Sequence, residues 1–266
     1  VSTEIIRSRQ NPRVKQLRAA FANAGRADDR TVAVEGEHLL EEALRSGLAI
    51  EEVFVRDDAA AHFSELLEAL PPTSVITTLS ADVFDSAVNT EAPQGIAAYI
   101  NLPQPNLETM LATPGALVIV LDGVQDPGNV GTIVRSAEAF AATAVIALPG
   151  SASFWNGKTV RASAGSVFRV PLFTLHEDAA KSSLEKYSFS FIAATARDGA
   201  APDSLDWTGK TALLIGAEGP GISAAWLARA KHRVTLTCPG PVESLNAAIA
   251  ASLLLYEASK YRRSQP

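Results

Sequence analysis

Cysteine is nearly absent from this chain, and the lone thiol, Cys238, has no partner with which to close an internal disulfide. Stability must therefore come from packing. Thiol redox chemistry is not expected, and Cys238 reads as a small buried hydrophobe compatible with a reducing compartment. Histidine is sparse too: His38, His62, His176 and His232 lie far apart and lack ligand spacing, so no metal site is expected. No apolar run reaches the roughly 20 residues of a membrane-spanning helix. Arg7, Arg9, Arg13 and Lys15 stand where a secretory signal needs an apolar stretch. The expectation is a soluble, cytoplasmic protein without a membrane partner. Neither G-x-G-x-x-G nor G-x-x-x-x-G-K-[ST] occurs, which removes ordinary dinucleotide and P-loop sites, and without G-x-S-x-G there is no nucleophile elbow.

What the 266 residues do offer is apolar mass, 47% of the chain, enough for a substantial core in one large or two medium domains. The net charge of -6 would argue against a polyanionic partner if it were evenly spread, and it is not. Residues 1–30 carry seven Lys/Arg against three Asp/Glu, residues 31–105 two against thirteen, and the remainder fourteen against thirteen. A basic arm on an acidic domain suits local contacts to phosphates. A solvated amphipathic helix is the alternative for the same charges.

Periodicity places a helix after Asn11-Pro12, with Val14, Leu17, Ala20 and Phe21 at helical spacing and Arg13, Lys15 and Arg18 on its remaining surface. From residue 31 short apolar strands (31–34, 53–55, 75–77, 95–100) alternate with helices (37–45, 63–70, 81–88), the pattern of a small α/β domain. The stretch Asn101-Leu102-Pro103-Gln104-Pro105-Asn106 is proline-rich and aperiodic, which divides the chain into domains 1–105 and 106–266. In the second, strands are expected at 116–121, 145–148, 189–195, 211–215 and 233–237. Helices are expected at 129–140, in part of 155–167, at 224–231 and at 244–261. Apolar strands joined by helices imply a mainly parallel sheet covered on both faces.

Three stretches place glycines or polar residues where apolar segments meet loops. They are Leu121-Asp122-Gly123-Val124-Gln125-Asp126-Pro127-Gly128-Asn129-Val130-Gly131, then Ile215-Gly216-Ala217-Glu218-Gly219-Pro220-Gly221, then Val242-Glu243-Ser244-Leu245-Asn246-Ala247-Ala248. In a parallel sheet ligands bind at the carboxyl ends of strands, where helix N-termini leave N–H groups free. Taken alone, each residue has a structural role available. Asn129 can cap the helix after Gly128, Ser244 can cap the last helix, Glu218 can be a solvated loop charge, Arg135 can pair with Glu138 at i+3, and Leu236 and Leu245 can be core.

Together, Asn129-Val130-Gly131-Thr132-Ile133-Val134-Arg135, Gly216-Ala217-Glu218-Gly219-Pro220-Gly221 and Glu243-Ser244-Leu245-Asn246-Ala247-Ala248 resemble the three motifs of the SpoU, or TrmH-like, branch of the SPOUT RNA methyltransferases. Val34-Glu35-Gly36 and Pro93-Gln94-Gly95-Ile96 are weaker markers of that family's substrate-binding domain. The resemblance implies a C-terminal α/β domain with a deep trefoil knot and mainly parallel sheet, preceded by a smaller L30e-like α/β domain. It implies a homodimer, S-adenosyl-L-methionine as methyl donor, no metal, and 2'-O-ribose methylation of RNA. Ribosomal RNA of the large subunit is favoured, with transfer RNA or a non-catalytic RNA-binding role as alternatives. By the same resemblance Thr195, Gly216, Ala217, Leu236 and Leu245 contact the donor, and Arg135, Asn129, Glu218, Ser244 and Asn246 form the catalytic group. Arg135 is either the base or a bidentate phosphate anchor. RNA as partner makes Arg7, Arg9, Arg13, Lys15 and Arg18 its expected ligands.

Overall fold

The computed structural model describes residues 4–22 and 31–263, so residues 1–3 and 23–30 of the expected basic arm lie outside it. The chain divides into two compact units, Val1–Gln104 with Trp155–Phe168, and Pro105–Phe154 with Arg169–Pro266.

The first unit holds α1 (Pro12–Ala22), β1 (Thr31–Glu35), α2 (Glu37–Arg45), β2 (Ile50–Arg56), α3 (Ser64–Glu68), β3 (Val75–Leu79), α4 (Ala81–Asp85) and β4 (Ile96–Asn101). Its sheet runs in the order β1-β4-β2-β3, with β4 antiparallel to both neighbours and β3 parallel to β2. The apolar face of α1 buries Val14 and Leu17 in a cluster with Phe54, Leu79, Phe84 and Ala97. Ahead of α1 the chain lies beside β3, where the Ile6 amide donates to the Thr78 carbonyl at 2.9 Å.

The two weak sequence markers meet in this unit. Glu35 is buried, and its carboxylate accepts from the Gln94 amide at 2.8 Å and from the Thr90 hydroxyl. The next amide, Gly36, donates to the Ile96 carbonyl at 2.9 Å. Gly36 has φ 106, a left-handed backbone that favours glycine, while the Gln94 side-chain end 2.7 Å from where a Cβ would lie is free to swing aside. These residues therefore make the joint between β1 and β4.

The second unit contains α5 (Leu107–Ala112), β5 (Leu117–Asp122), α6 (Pro127–Ala139), β6 (Ala144–Ala147), β7 (Leu172–Thr174), α8 (Glu177–Lys186), β8 (Ser190–Ala194), β9 (Thr211–Gly216), α9 (Ala224–Leu227), β10 (His232–Val234) and α10 (Ala247–Arg263). The short helix α7 (Gly157–Ala162) falls in the segment that groups with the first unit. The six-stranded sheet has the order β10-β8-β9-β5-β6-β7 and is parallel throughout. Val118, Val120, Ile146, Leu214 and Phe191 from its strands share a core with Ala180, Leu184 and Trp226. The helix α10 packs along α6 through a 2.6 Å Ser136–Ser252 hydroxyl contact and an edge-on Phe140–Tyr256 ring pair. Near its end the Arg262 guanidinium donates to the carbonyls of Gly115 and Gly209, and burial holds its pKa below the usual arginine value.

Three elements lack a counterpart in the sequence expectations: α5, β7 and α8. Along α8 only Ala180, Lys181 and Leu184 are buried, too thin a stripe for periodicity to register. The strand expected at 233–237 ends at Val234, and the last helix begins at Ala247 rather than at 244. Both shortenings release chain into loops. Among the described residues no helix is long and apolar enough to cross a membrane.

Replacing Glu35 with alanine should remove the partner of the Gln94 N–H and the Thr90 hydroxyl in a half-buried joint, lowering stability by about 1 kcal/mol. Chemical denaturation measures this, and an unchanged midpoint would contradict the joint.

Candidate functional site

Adjacent strand ends in a parallel sheet deliver their loops to one edge, and the register shows how this gathers the motifs. Asp122, at the end of β5, pairs directly with Gly216, at the end of β9, so the first two stretches leave the sheet side by side. Loops after β8, β9 and β10, together with the segment leading into α10, enclose a cavity of about 720 Å³. That volume lies in the range of about 300–1,000 Å³ common for small-molecule sites.

After β9 the chain turns back at once. Ala217 and Gly221 exchange backbone hydrogen bonds at 3.2 and 3.0 Å, which leaves Glu218 near the tip of a tight hairpin. A Cβ on Gly216 would lie 2.2 Å from the Gly221 carbonyl carbon and 2.3 Å from the Ile222 nitrogen. Gly216 is thus required by the returning chain itself. The base of the hairpin is tied by the Ser223 amide, which donates to Asp122 Oδ2 at 2.7 Å.

The Glu218 carboxylate joins the other two motifs. Its Oε1 accepts from Asn129 Nδ2 and from Asn246 Nδ2, each at 2.7 Å, and Asn246 Nδ2 also approaches Asn129 Oδ1 at 3.1 Å. Both asparagines are fixed by helix starts. Asn246 Oδ1 accepts from the amides of Ala248 at 2.9 Å and Ile249 at 3.2 Å, capping α10. The Asn129 amide donates to Asp126 Oδ1 at 2.9 Å, and Asp126 is the cap of α6. The capping roles available to Asn129 and Ser244 in the sequence therefore fall to Asp126 and Asn246. Glu218, with one oxygen taken by two amide donors, is arranged to hold side chains in place.

Thr195, Gly216, Ala217, Leu236 and Leu245 all line the cavity, as do Glu218, Ser244 and Asn246. Leu236 and Leu245 are half-buried, which separates them from the core leucines. Asn129 reaches this group through its bond to Glu218. Arg135 does not line the cavity: it is exposed on α6, and the Glu138 carboxylate is engaged by Arg169, with one contact at 3.1 Å. The i+3 pairing weighed for Arg135 is not among the described ion pairs.

Cys238 also differs from expectation, being half-buried on the cavity wall instead of in the core. Thr235 and Arg197 line the cavity as well and carried no sequence signal, Thr235 because a strand drawn to 237 hid the loop to which it belongs, and Glu243 of the third motif lines it too. Arg197 and Glu243 form an ion pair at 3.7 Å, with both side chains so exposed that water screens it to little effect.

In the first unit, Arg13 donates to Thr77 Oγ1 at 2.8 Å and pairs with Glu52 at 3.4 Å, and Arg18 donates to the Ser86 carbonyl at 2.9 Å. Arg9 lies 3.6 Å from Asp82, while Arg7 and Lys15 are exposed. Among the described residues no group of three or more His, Cys, Asp or Glu is arranged to hold a metal ion.

Asn246→Ala should uncap α10 at a cost of about 1 kcal/mol. Asn246→Asp should keep the cap but set a second carboxylate against Glu218, freeing the hairpin. Amide exchange separates the two: Ala248 and Ile249 lose protection in the alanine variant and retain it in the aspartate variant.

Comparison with known proteins follows the same architecture. The SpoU rRNA Methylase family model matches residues 116–256, and the MRM3-like substrate binding domain model matches residues 11–98. The chain is 33% identical over 251 residues to the 23S rRNA (guanosine(2553)-2'-O)-methyltransferase RlmP of Bacillus subtilis, spanning 94% of this chain and 97% of that protein. A 23S rRNA (uridine(2479)-2'-O)-methyltransferase of Streptomyces viridochromogenes is 32% identical over 180 residues, spanning 65% of this chain and 63% of that one. Among solved structures, the SpoU methyltransferase AviRb of Streptomyces viridochromogenes, crystallised with AdoMet, superimposes with a TM-score of 0.83 at 26% identity, covering 97% of this chain and 100% of that one. With matched models over both units, a parallel sheet of the same fold and the three motifs joined at one cavity, the chain belongs to the SpoU rRNA methylase family.

Proposed function

We propose that this protein is an S-adenosyl-L-methionine-dependent RNA 2'-O-ribose methyltransferase acting on large-subunit ribosomal RNA. The observation that carries the proposal is the Asn129–Glu218–Asn246 cluster, which joins all three motifs at the wall of a cavity of about 720 Å³. The cavity's makeup fits the donor: Leu236, Leu245 and Ile215 supply apolar surface for an adenine, and threonine hydroxyls and loop backbone supply polar contacts. Bound there, S-adenosyl-L-methionine supplies an electrophilic methyl group. The chain's own contribution is alignment and exclusion of water, with the target ribose held so that its 2'-oxygen is in line.

Ser244, which lines the cavity and is exposed, is assigned to relaying the ribose proton through its hydroxyl. A guanidinium keeps its proton in ordinary surroundings, so Arg135 is assigned to the phosphate of the target nucleotide, which it can grip with two parallel N–H bonds. Arg7, Arg9 and Lys15 are assigned to RNA contact in the first unit, with Arg13 and Arg18 sharing that role while they tether α1. The knotted path of the C-terminal segment belongs to the same proposal. The same proposal assigns the chain to the cytoplasm, as the sequence leads one to expect.

The exposed apolar residues Ile249, Leu253 and Tyr256 recur along one side of α10 at i, i+4 and i+7, on the helix that packs with α6. This stripe is assigned to a second copy of the chain, so that Arg135 serves the homodimer and not the cavity of its own subunit. RlmP and its Streptomyces counterpart carry names specifying 23S rRNA, which favours ribosomal RNA here. A relative in Synechocystis carries a tRNA/rRNA name, so transfer RNA belongs in the same assay.

The test is methyl transfer from labelled donor to ribosomal and transfer RNA, with mapping of the modified nucleotide. Transfer to a ribose of 23S rRNA is expected, and donor binding without transfer to either RNA would replace the proposal with a non-catalytic RNA-binding role. Arg135→Ala should lower transfer by about 100-fold or more, roughly 2.7 kcal/mol of transition-state stabilisation, while donor affinity stays within about threefold. Normal turnover in that variant would sink the role of Arg135. Leu253→Asp should halve the mass measured by light scattering, and an unchanged mass would remove α10 from the interface.

A further inference from the structure

We propose that Thr235 is a positioning residue of the donor cavity, its hydroxyl setting the distance between two of the cavity's walls. The proposal rests on the cavity being the donor site. At the end of β8 the chain leaves the sheet as the loop 195–199 and returns at Ala200, which bridges Val234 of β10. Both feet of that loop are bonded to the β10 backbone. The Thr195 amide donates to the Val234 carbonyl at 2.9 Å, the Ala200 amide to the Arg233 carbonyl at 2.8 Å, and the Thr235 amide to the Ala200 carbonyl at 3.0 Å.

The Thr235 side chain sits between the feet and bonds to both. Its Oγ1 donates to the Thr195 carbonyl at 3.0 Å and accepts from the Gly199 amide at 2.9 Å. A hydroxyl has one proton to give, so the third contact, 3.3 Å from Thr195 Oγ1, has Thr195 donating. The fit leaves no spare room, because a Cβ on Gly199 would lie 2.5 Å from Thr235 Oγ1 and 2.7 Å from the Val234 carbonyl carbon. Asp198, just before it, holds φ 60, a left-handed backbone that the tie at Gly199 helps to keep.

The consequence lies on the cavity wall. Residues 195–197 line the cavity on one side of this seam and residues 235–238 on the other. Without the hydroxyl, the Gly199 N–H and the Thr195 carbonyl lose their partner, and the loop can drift from the wall that faces it. Thr235 touches neither the three-motif cluster nor any residue assigned to the chemistry, so its loss should act on donor binding alone.

The experiment compares Thr235→Val, which keeps the shape and removes the hydroxyl, with Thr235→Ser, which keeps the hydroxyl. Titration calorimetry with S-adenosyl-L-methionine should show Kd raised about tenfold in the valine variant and restored to within about threefold in the serine variant. The donor KM should follow Kd, with kcat at saturating donor within about twofold of wild type. Equal donor affinity in folded Thr235→Val and wild type would overturn this proposal while leaving the cavity as the donor site. Failure of the serine variant to restore affinity would overturn it as well. If the wild-type protein binds no donor, the assignment of the cavity and this proposal fall together. Should the valine variant not fold, amide exchange in the wild type decides. A slowly exchanging Gly199 amide is expected, and exchange at the rate of an open loop would overturn the tie.

Discussion

One carboxylate oxygen, Oε1 of Glu218, takes hydrogen bonds from two asparagine side chains that lie 89 and 28 residues away along the chain. Two amide donors on a single oxygen use both of its lone pairs, and the geometry admits little adjustment. The group is exposed, so its net contribution to stability is small, and what it supplies is position. Three features exist to present it. Gly216 lets the chain double back within van der Waals distance of itself, Asp122 ties the base of the hairpin, and the starts of α6 and α10 fix the two donors. Changing any of these should move Glu218 relative to the asparagines it joins.

The parallel sheet makes this convergence possible. β5 and β9 are neighbours in space but far apart in sequence, and their paired ends, Asp122 and Gly216, start two loops from adjacent points. β8 and β10 lie beyond β9, so the remaining loops open onto the same edge. A cavity there is walled largely by backbone and small side chains, which explains why residues without acid–base character, such as Thr195, Leu236 and Leu245, belong to it.

Much of this was legible in the sequence, for a physical reason. The central strands β5 and β9 of the second sheet are continuous apolar runs, and their positions were legible to within a residue, whereas β2, with Glu51 and Glu52 near its start, begins at Ile50, three residues before the strand expected at 53–55. The motif residues Asn129, Glu218 and Asn246 were singled out from their places after strands or at a helix start, together with the family resemblance, and the structure brings them into contact. Elements with little buried surface were not legible, α8 being the clearest case. Capping was misassigned at both helices for a related reason. Asp126 and Asn129 are equally good caps by residue type, as are Ser244 and Asn246, and only the path of the chain decides between them. Thr235 was invisible because a threonine after a β-strand looks like more strand. Its role comes from the loop that folds back around it.

The position of Arg135 carries the argument past the single chain. The cluster at the cavity supplies amides, a carboxylate and a hydroxyl, yet a reaction on a nucleotide also calls for a cation to hold the phosphate. Arg135, the arginine proposed for that task, sits exposed on α6, outside the cavity wall. The neighbouring helix α10 presents Ile249 and Leu253 to solvent, together with the part of Tyr256 that its contact with Phe140 leaves open, a row of exposed apolar surface suited to a further contact. The two observations resolve together if α6 and α10 face a second copy. In the proposed homodimer, association would bury the stripe and carry the arginine of each subunit towards the cavity of the other. A monomer would in that case still hold its donor but lack the cation, so donor affinity and methyl transfer should separate when the interface is broken.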